Sequence, residues 1–241
     1  MANRIIRNIP NTLTCLNLLS GCLACAAAFA GDYVQAFAFI VAGAAFDFFD
    51  GLAARALHVY SVIGKDLDSL ADDVTFGVAP GAMVFMLLRE MTVHAQPGGL
   101  EAWLPYVAFA IPVFSGLRLA KFNNDARQTT SFIGLPVPAN ALFWGALIAG
   151  QHAWLVSGNV SPLAVAALAC LSAWLLVCEL PMFSLKFKDL SWQANRLRFL
   201  FLAVCIPLLA VLGISGFAAI VVWYILLSLL TCKRKPATKP E

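Results

Sequence analysis

The chain has 241 residues and a mass of 25.9 kDa; 61% of it is hydrophobic, only 12% is charged, and the mean hydropathy is +0.82. Soluble domains carry about 25% charged residues, so half that share cannot cover a water-soluble globule, and the same composition excludes a disordered or collagenous chain. The net charge of +3 is small, and the information lies in where the charges fall.

An apolar run of about 20 residues crosses a bilayer as a helix. The chain supplies about eight in order: 11–30, 34–57, 66–89, 101–123, 136–156, 161–181, 197–213 and 214–232. The expected fold is therefore all-α, a polytopic helical membrane bundle of about eight transmembrane helices forming one domain over 1–241. Pro10-Asn11 and the polar Thr12, Thr14 and Asn17 open the first run, and no small-residue cleavage site leads from it into a soluble body, so it reads as a retained span. Gly213 to Gly216 leaves a very short turn between the last two runs, for which two helices are preferred over one long tilted helix. If the spans alternate, fifteen of the sixteen Lys and Arg fall at one set of ends and only Arg89 at the other. The positive-inside rule then puts both termini in the cytoplasm, and an odd number of spans would scatter the bias.

The seven cysteines, Cys15, Cys22, Cys25, Cys170, Cys178, Cys205 and Cys232, lie almost entirely in apolar runs and imply no disulfide framework. Cys22-x2-Cys25 has no second pair or nearby His and reads as helix filler, not as a zinc or redox site. Of the histidines, His58 reads as a surface residue, and His94 and His152 as loop residues on the far side. The tail Lys233-Arg234-Lys235-Pro-Ala-Thr-Lys239 suits attraction to anionic lipid headgroups and not nucleic-acid binding.

Six of the thirteen acidic residues fall between 47 and 73: Asp47, Asp50, Asp66, Asp68, Asp72 and Asp73. Asp47 and Asp50 are three apart, Asp68 and Asp72 four apart, and each spacing puts a pair on one helix face. The short connection from Arg55 to Lys65 folds the helices antiparallel, so the two faces can meet just below the membrane surface. An aspartate at a helix centre costs about 2.5–3.5 kcal/mol on insertion scales, and Phe46, Phe48 and Phe49 surround the first pair with lipid-like groups. Something cationic must compensate. Oxygen-only ligands with no His or Cys suit Mg²⁺ or Mn²⁺, and four shared carboxylates suit two divalent ions about 3.5–4 Å apart. Asp66 and Asp73 lie off the shared face and read as a solvated helix end. Gly51, Ala53, Ala54 and Gly64 remove bulk where the acidic faces meet, which lets a phosphate or sugar approach the backbone. Gly77 and Gly81 read as helix-packing positions, with a kink expected at Pro80.

The pattern Asp47-x2-Asp50-Gly51-x2-Ala54-Arg55-x8-Gly64-x3-Asp68-x3-Asp72 sets eight positions over 26 residues, and it resembles the signature of the CDP-alcohol phosphatidyltransferase family. Flanking segments resemble the serine-accepting branch of that family. They are Ile9 to Asn17, Phe46 to Gly51, Leu67 to Asp72, Phe76 to Pro80, Arg118 to Asn123, and Gly134 to Asn140, while the last hundred residues match only as generic spans. Asp73 departs from the family, where an apolar residue is usual.

The resemblance implies a six-helix core, a homodimer, and transfer of a phosphatidyl group from CDP-diacylglycerol to L-serine with release of CMP. It implies Asp47, Asp50, Asp68 and Asp72 as metal ligands and Asp72 as the base for the serine hydroxyl. It carries over Gly51, Ala54, Gly64, Arg55 and Asn17 as contacts to the CDP-linked donor, although Asn17 suits an interhelix hydrogen bond equally well. Serine's carboxylate calls for a cation, and Arg118 and Lys121, three apart at the end of the fourth span with Asn123 beside them, are the candidates; ordinary positive-inside anchoring is the alternative. Another acceptor, glycerol phosphate or inositol phosphate, would want more clustered cations. A cation transporter would explain the aspartates but not the glycine and arginine spacing, and its site would lie nearer the midplane. A bacterial plasma membrane, with the site on the cytoplasmic side, fits the compact chain.

Overall fold

The computed structural model describes residues 4–59, 62–93, 99–125, 132–182 and 192–232. Arg127, Lys186, Lys188, His94 and the basic tail lie outside them. Helix α1 (Arg4–Phe29) turns through Gly31, whose φ of +79° suits glycine, into α2 (Tyr33–Ala56). Asp32 caps α2 by accepting from the Gln35 amide at 2.9 Å. Helix α3 (Val62–Asp72) runs through a π-helical segment, Asp73–Val78, into α4 (Ala79–Met91). A 3₁₀ segment, Leu100–Phe109, leads into α5 (Ala110–Asn124). Then come α6 (Val137–Val156), α7 (Pro162–Val177), α8 (Trp192–Leu212) and α9 (Ser215–Cys232).

Counting α3 with α4, and the 3₁₀ segment with α5, the described residues form eight rods that coincide with the eight expected runs. Five are long and apolar enough to cross a membrane: Asn8–Phe29, Tyr33–Ala56, Ile63–Met91, Glu101–Asn124 and Asn195–Leu212. Pro162–Val177 and Ser215–Thr231 are shorter apolar helices, and α6 is interrupted at Gln151 by non-helical φ/ψ of −131° and 18°. The last two rods are separate helices, parted at Gly213 with φ +54°. Small antiparallel strands, β1 (Phe132–Ile133) and β2 (Pro181–Met182), pair Phe132 with Met182 and Ile133 with Pro181.

The buried core gathers Phe76, Met83, Leu87 and Leu88 from the third rod, Ile111 from α5 and Trp144 from α6. Trp144 donates to Ser172 Oγ on α7 at 2.9 Å, which satisfies a buried indole N–H. Helix α1 packs along α2 and also touches α3, the π segment and α4, so the first three rods form the frame on which the aspartates sit.

Two expectations need correction. His152 is not in a loop: α6 continues to Val156 and holds it 2.8 Å from Glu90 on α4. The irregularity expected at Pro80 falls in the turn just before it: the rod is continuous here, a proline cannot donate to that turn, and the π segment Asp73–Val78 occupies it. Asp73 is not a solvated helix end. It is half-buried, with Oδ1 enclosed and no hydrogen-bond partner, and faces α5, where Gly116, with Gly77 of its own π segment, leaves room for its carboxylate. Asp73 does turn away from the other aspartates, but the direction it turns is covered by a helix and not by water.

Candidate active site

One helical turn separates Asp47 from Asp50 on α2, and one separates Asp68 from Asp72 on α3. Carboxylate oxygens of Asp47, Asp50 and Asp68 lie within 4.8 Å of one another, with Asp50 buried and the other two half-buried. Asp72 stands beside this trio, in the electrostatic field of Asp47, Asp68 and Asp50. Helix α1 supplies the neutral partners. Thr14 Oγ1 donates to Asp50 Oδ2 at 2.7 Å, and Asn17 Nδ2 donates to Asp72 Oδ1 at 3.1 Å. Asn17 is in turn fixed by Thr75 of the π segment, whose hydroxyl donates to the Asn17 carbonyl at 2.9 Å. Thr75 reaches that deep because a Cβ at Gly43 would lie 2.5 Å from its Cγ2 and 2.9 Å from Asn17 Oδ1; glycine there is what permits the approach.

These contacts hold the carboxylates but do not neutralise them. No Lys, Arg or His among the described residues forms an ion pair with Asp47, Asp50, Asp68 or Asp72, and Asp68 Oδ1 is enclosed without a hydrogen-bond partner. A divalent cation fits that deficit: the donors are all oxygen, they converge, and one of them is an orphan.

A cavity of about 240 Å³ opens against two members of the trio. Asp50 and Asp68 line one side, Gly51, Ala54 and Gly64 another, and Thr14 and Lys65 also reach it. Three small motif positions therefore leave space next to the carboxylates, whereas Ala53 does not line it. Lys65, which ends the short connection from Arg55, is a cation at this cavity; it also donates to the Asn123 carbonyl at 3.2 Å, which links the cavity to the end of α5.

The remaining expected residues are dispersed around this centre. Asn17 is fully buried and bonded to Asp72 rather than lining the cavity. Arg55 is exposed and folds back along α2, its guanidinium against the space over Gly51. Arg118 is 6% exposed, stands over the Phe122 ring at 5.7 Å, interacts electrostatically with Tyr224 and Asp72, and keeps Nε enclosed without a partner. Lys121 is exposed, and Asn123 donates to Ser69 Oγ at 2.7 Å. Arg118 and Lys121 share a second cavity, of about 340 Å³. Thr14 was legible in principle, since it lies three residues before Asn17 and so shares its helix face. Thr75 and Tyr224 left no such signal, because neither is spaced with the motif.

The chain is similar to known proteins over most of its length. Residues 7–232 match the model of the CDP-alcohol phosphatidyltransferase family. The CDP-diacylglycerol–serine O-phosphatidyltransferase of Bacillus subtilis (strain 168) is 34% identical over 173 residues, covering 71% of this chain and 88% of that protein. The protein of the same name from Mycobacterium tuberculosis (strain ATCC 25618 / H37Rv) is 31% identical over 230 residues, covering 91% of this chain and 72% of the relative. That of Saccharomyces cerevisiae (strain ATCC 204508 / S288c) is 38% identical over a shorter stretch of 117 residues, 44% of this chain and 38% of the relative.

Proposed function

The chain belongs to the CDP-alcohol phosphatidyltransferase family, and from that membership and the geometry of the site we propose that it transfers the phosphatidyl group of CDP-diacylglycerol to L-serine, giving phosphatidylserine and CMP. The observation that carries this reading is the convergence of Asp47, Asp50 and Asp68 within 4.8 Å, beside Asp72 and against a cavity bordered by Gly51, Ala54 and Gly64.

The trio, with Asp72 completing the set, would hold two Mg²⁺ or Mn²⁺ ions, which when bound supply charge neutralisation for the donor pyrophosphate and for the departing CMP. Gly51, Ala54 and Gly64 admit the donor's phosphates and sugar, and Lys65 and Arg55 contribute positive charge at its edge. Asp72 is held by Asn17 in one orientation and takes the proton of the serine hydroxyl. The serine oxygen then forms its bond to the lipid-side phosphorus as the phosphorus–oxygen bond to CMP breaks, and the electron pair of that bond leaves with CMP. Arg118, whose buried Nε has no partner, is the group that receives the serine carboxylate, with Lys121 and Asn123 nearby.

The reading places the enzyme as a homodimer in a bacterial plasma membrane with the site on the cytoplasmic side, where the basic span ends fall. Membranes carrying the protein, supplied with CDP-diacylglycerol, Mn²⁺ and labelled serine, are expected to release CMP and a labelled aminophospholipid, and to stop on chelation. CMP release with glycerol 3-phosphate and not with serine would overturn the acceptor assignment; activity indifferent to chelation would overturn the metal assignment.

A further inference from the structure

The second cavity has walls of opposite charge. Arg118 and Lys121 reach it from α5, whereas Leu176, Val177 and Cys178 at the C-terminal end of α7, followed by Glu179, face it from the other side. Arg118 is more than nine-tenths buried with an unpartnered Nε, so the cationic wall holds a guanidinium with an unsatisfied donor. The opposite wall favours positive charge twice. Helix α7 has 16 residues and ends here, so its terminal carbonyls present the negative end of the helix dipole. Glu179 adds a full negative charge and is exposed, with no ion pair among the described residues. Asp125, the other carboxylate lining the cavity, is already engaged by another group.

Backbone contacts fix this wall in place. The Gly134 amide donates to the Leu180 carbonyl at 2.9 Å and the Leu135 amide to the Leu175 carbonyl at 2.8 Å, so the chain around Glu179 is gripped on both sides. Gly134 has φ +74°, and a Cβ there would lie 2.5 Å from the Leu176 carbonyl oxygen; the clasp needs glycine at this position. The β1–β2 pairing continues the same contact. Glu179 therefore projects from a braced segment, which is what a recognition residue requires.

A ligand carrying both a carboxylate and an ammonium satisfies both walls, whereas a phosphorylated polyol leaves Glu179 facing its anion. Resting on the serine-transfer reading, we propose that Glu179, together with the C-terminal end of α7, binds the ammonium group of the acceptor, so that this cavity selects a zwitterionic hydroxy-amino acid against hydroxyl acceptors lacking an amine. Arg118 and Glu179 then act as the two poles that orient the acceptor, and Asp72, within electrostatic reach of Arg118, meets its hydroxyl.

The test uses the purified full-length protein in lipid nanodiscs, with CDP-diacylglycerol as donor and CMP release as readout. L-serine is compared with 3-hydroxypropanoate, which keeps the hydroxyl and carboxylate but has no amine, assayed as acceptor or as competitor of serine. Glu179→Gln is expected to raise the serine KM by about tenfold or more, as loss of a charged contact does, with donor KM and 3-hydroxypropanoate affinity unchanged; Glu179→Asp should recover part of the loss. An unchanged serine KM in Glu179→Gln, or equal weakening of both compounds, overturns the proposal while leaving serine transfer by the wild type intact. A wild type that uses glycerol 3-phosphate and not serine overturns the function itself, and the ammonium site with it.

Discussion

Thr14 and Asn17 show how single neutral side chains hold a cluster of like charges together. Each gives one hydrogen bond to an aspartate, Thr14 to Asp50 and Asn17 to Asp72, and a bond to a charged group is worth about 1.5–3 kcal/mol. Thr14→Val keeps the shape and removes the donor. It is expected to lower kcat/KM by about tenfold or more, with Thr14→Ser near wild type; a Val variant at the wild-type rate would mean that Asp50 needs no such support. Asp72→Asn is expected to abolish transfer while calorimetry still detects CDP-diacylglycerol binding, and full transfer by that variant would remove Asp72 from the role of base. At this scale the motif aspartates were legible because their spacing of three and four puts each pair on one helix face. Asp73 was legible only halfway: spacing shows that it leaves the shared face, but not that α5, with Gly116, waits on the other side. Arg55 shows the same limit, since a motif position does not reveal that its long side chain lies back along its own helix.

At the scale of elements, the third rod is the piece that orders the site. Its π segment, Asp73–Val78, carries Thr75 inward to the Asn17 carbonyl, and Gly43 of α2 is small enough to admit it. Such segments add a residue to one turn and recur at functional sites. Gly43→Ala forces its new methyl group against Thr75 and Asn17, and overpacking of this kind costs about 1–3 kcal/mol. We expect a lower Tm and a lower kcat, because Asn17 is displaced from Asp72. Adding Thr75→Ala removes the colliding methyl group and should recover part of the Tm; purely additive losses would show that the two positions are not in contact. The rods themselves were readable because apolar runs of membrane length leave little choice of structure. The π and 3₁₀ turns were not, since they differ from an α-helix in hydrogen-bond register and leave no periodic signature. The two-residue strands escaped for a similar reason: they are too short to show alternation, and their pairing joins segments far apart in sequence.

For the whole molecule, the distribution of Lys and Arg predicts that the site and both termini share one side of the membrane, with the turn between α6 and α7 on the other. In a cysteine-free variant, Asn159→Cys should react with a membrane-impermeant maleimide on intact cells, whereas His58→Cys should react only after permeabilisation; the reverse pattern would invert the topology. That sidedness matters because the aspartates lie near the α2–α3 turn, toward one end of their helices, where water-soluble serine and CMP can enter and leave. On the proposed reading, divalent cations offset the charge of the four acidic side chains that the apolar bundle brings together. Titration of the purified protein with Mn²⁺ in the presence of CDP-diacylglycerol, followed by electron paramagnetic resonance, addresses that point directly. The account predicts saturable binding to the wild type and its loss in Asp68→Asn, whose Oδ1 is the orphaned oxygen of the trio. Undiminished Mn²⁺ binding by Asp68→Asn would contradict it.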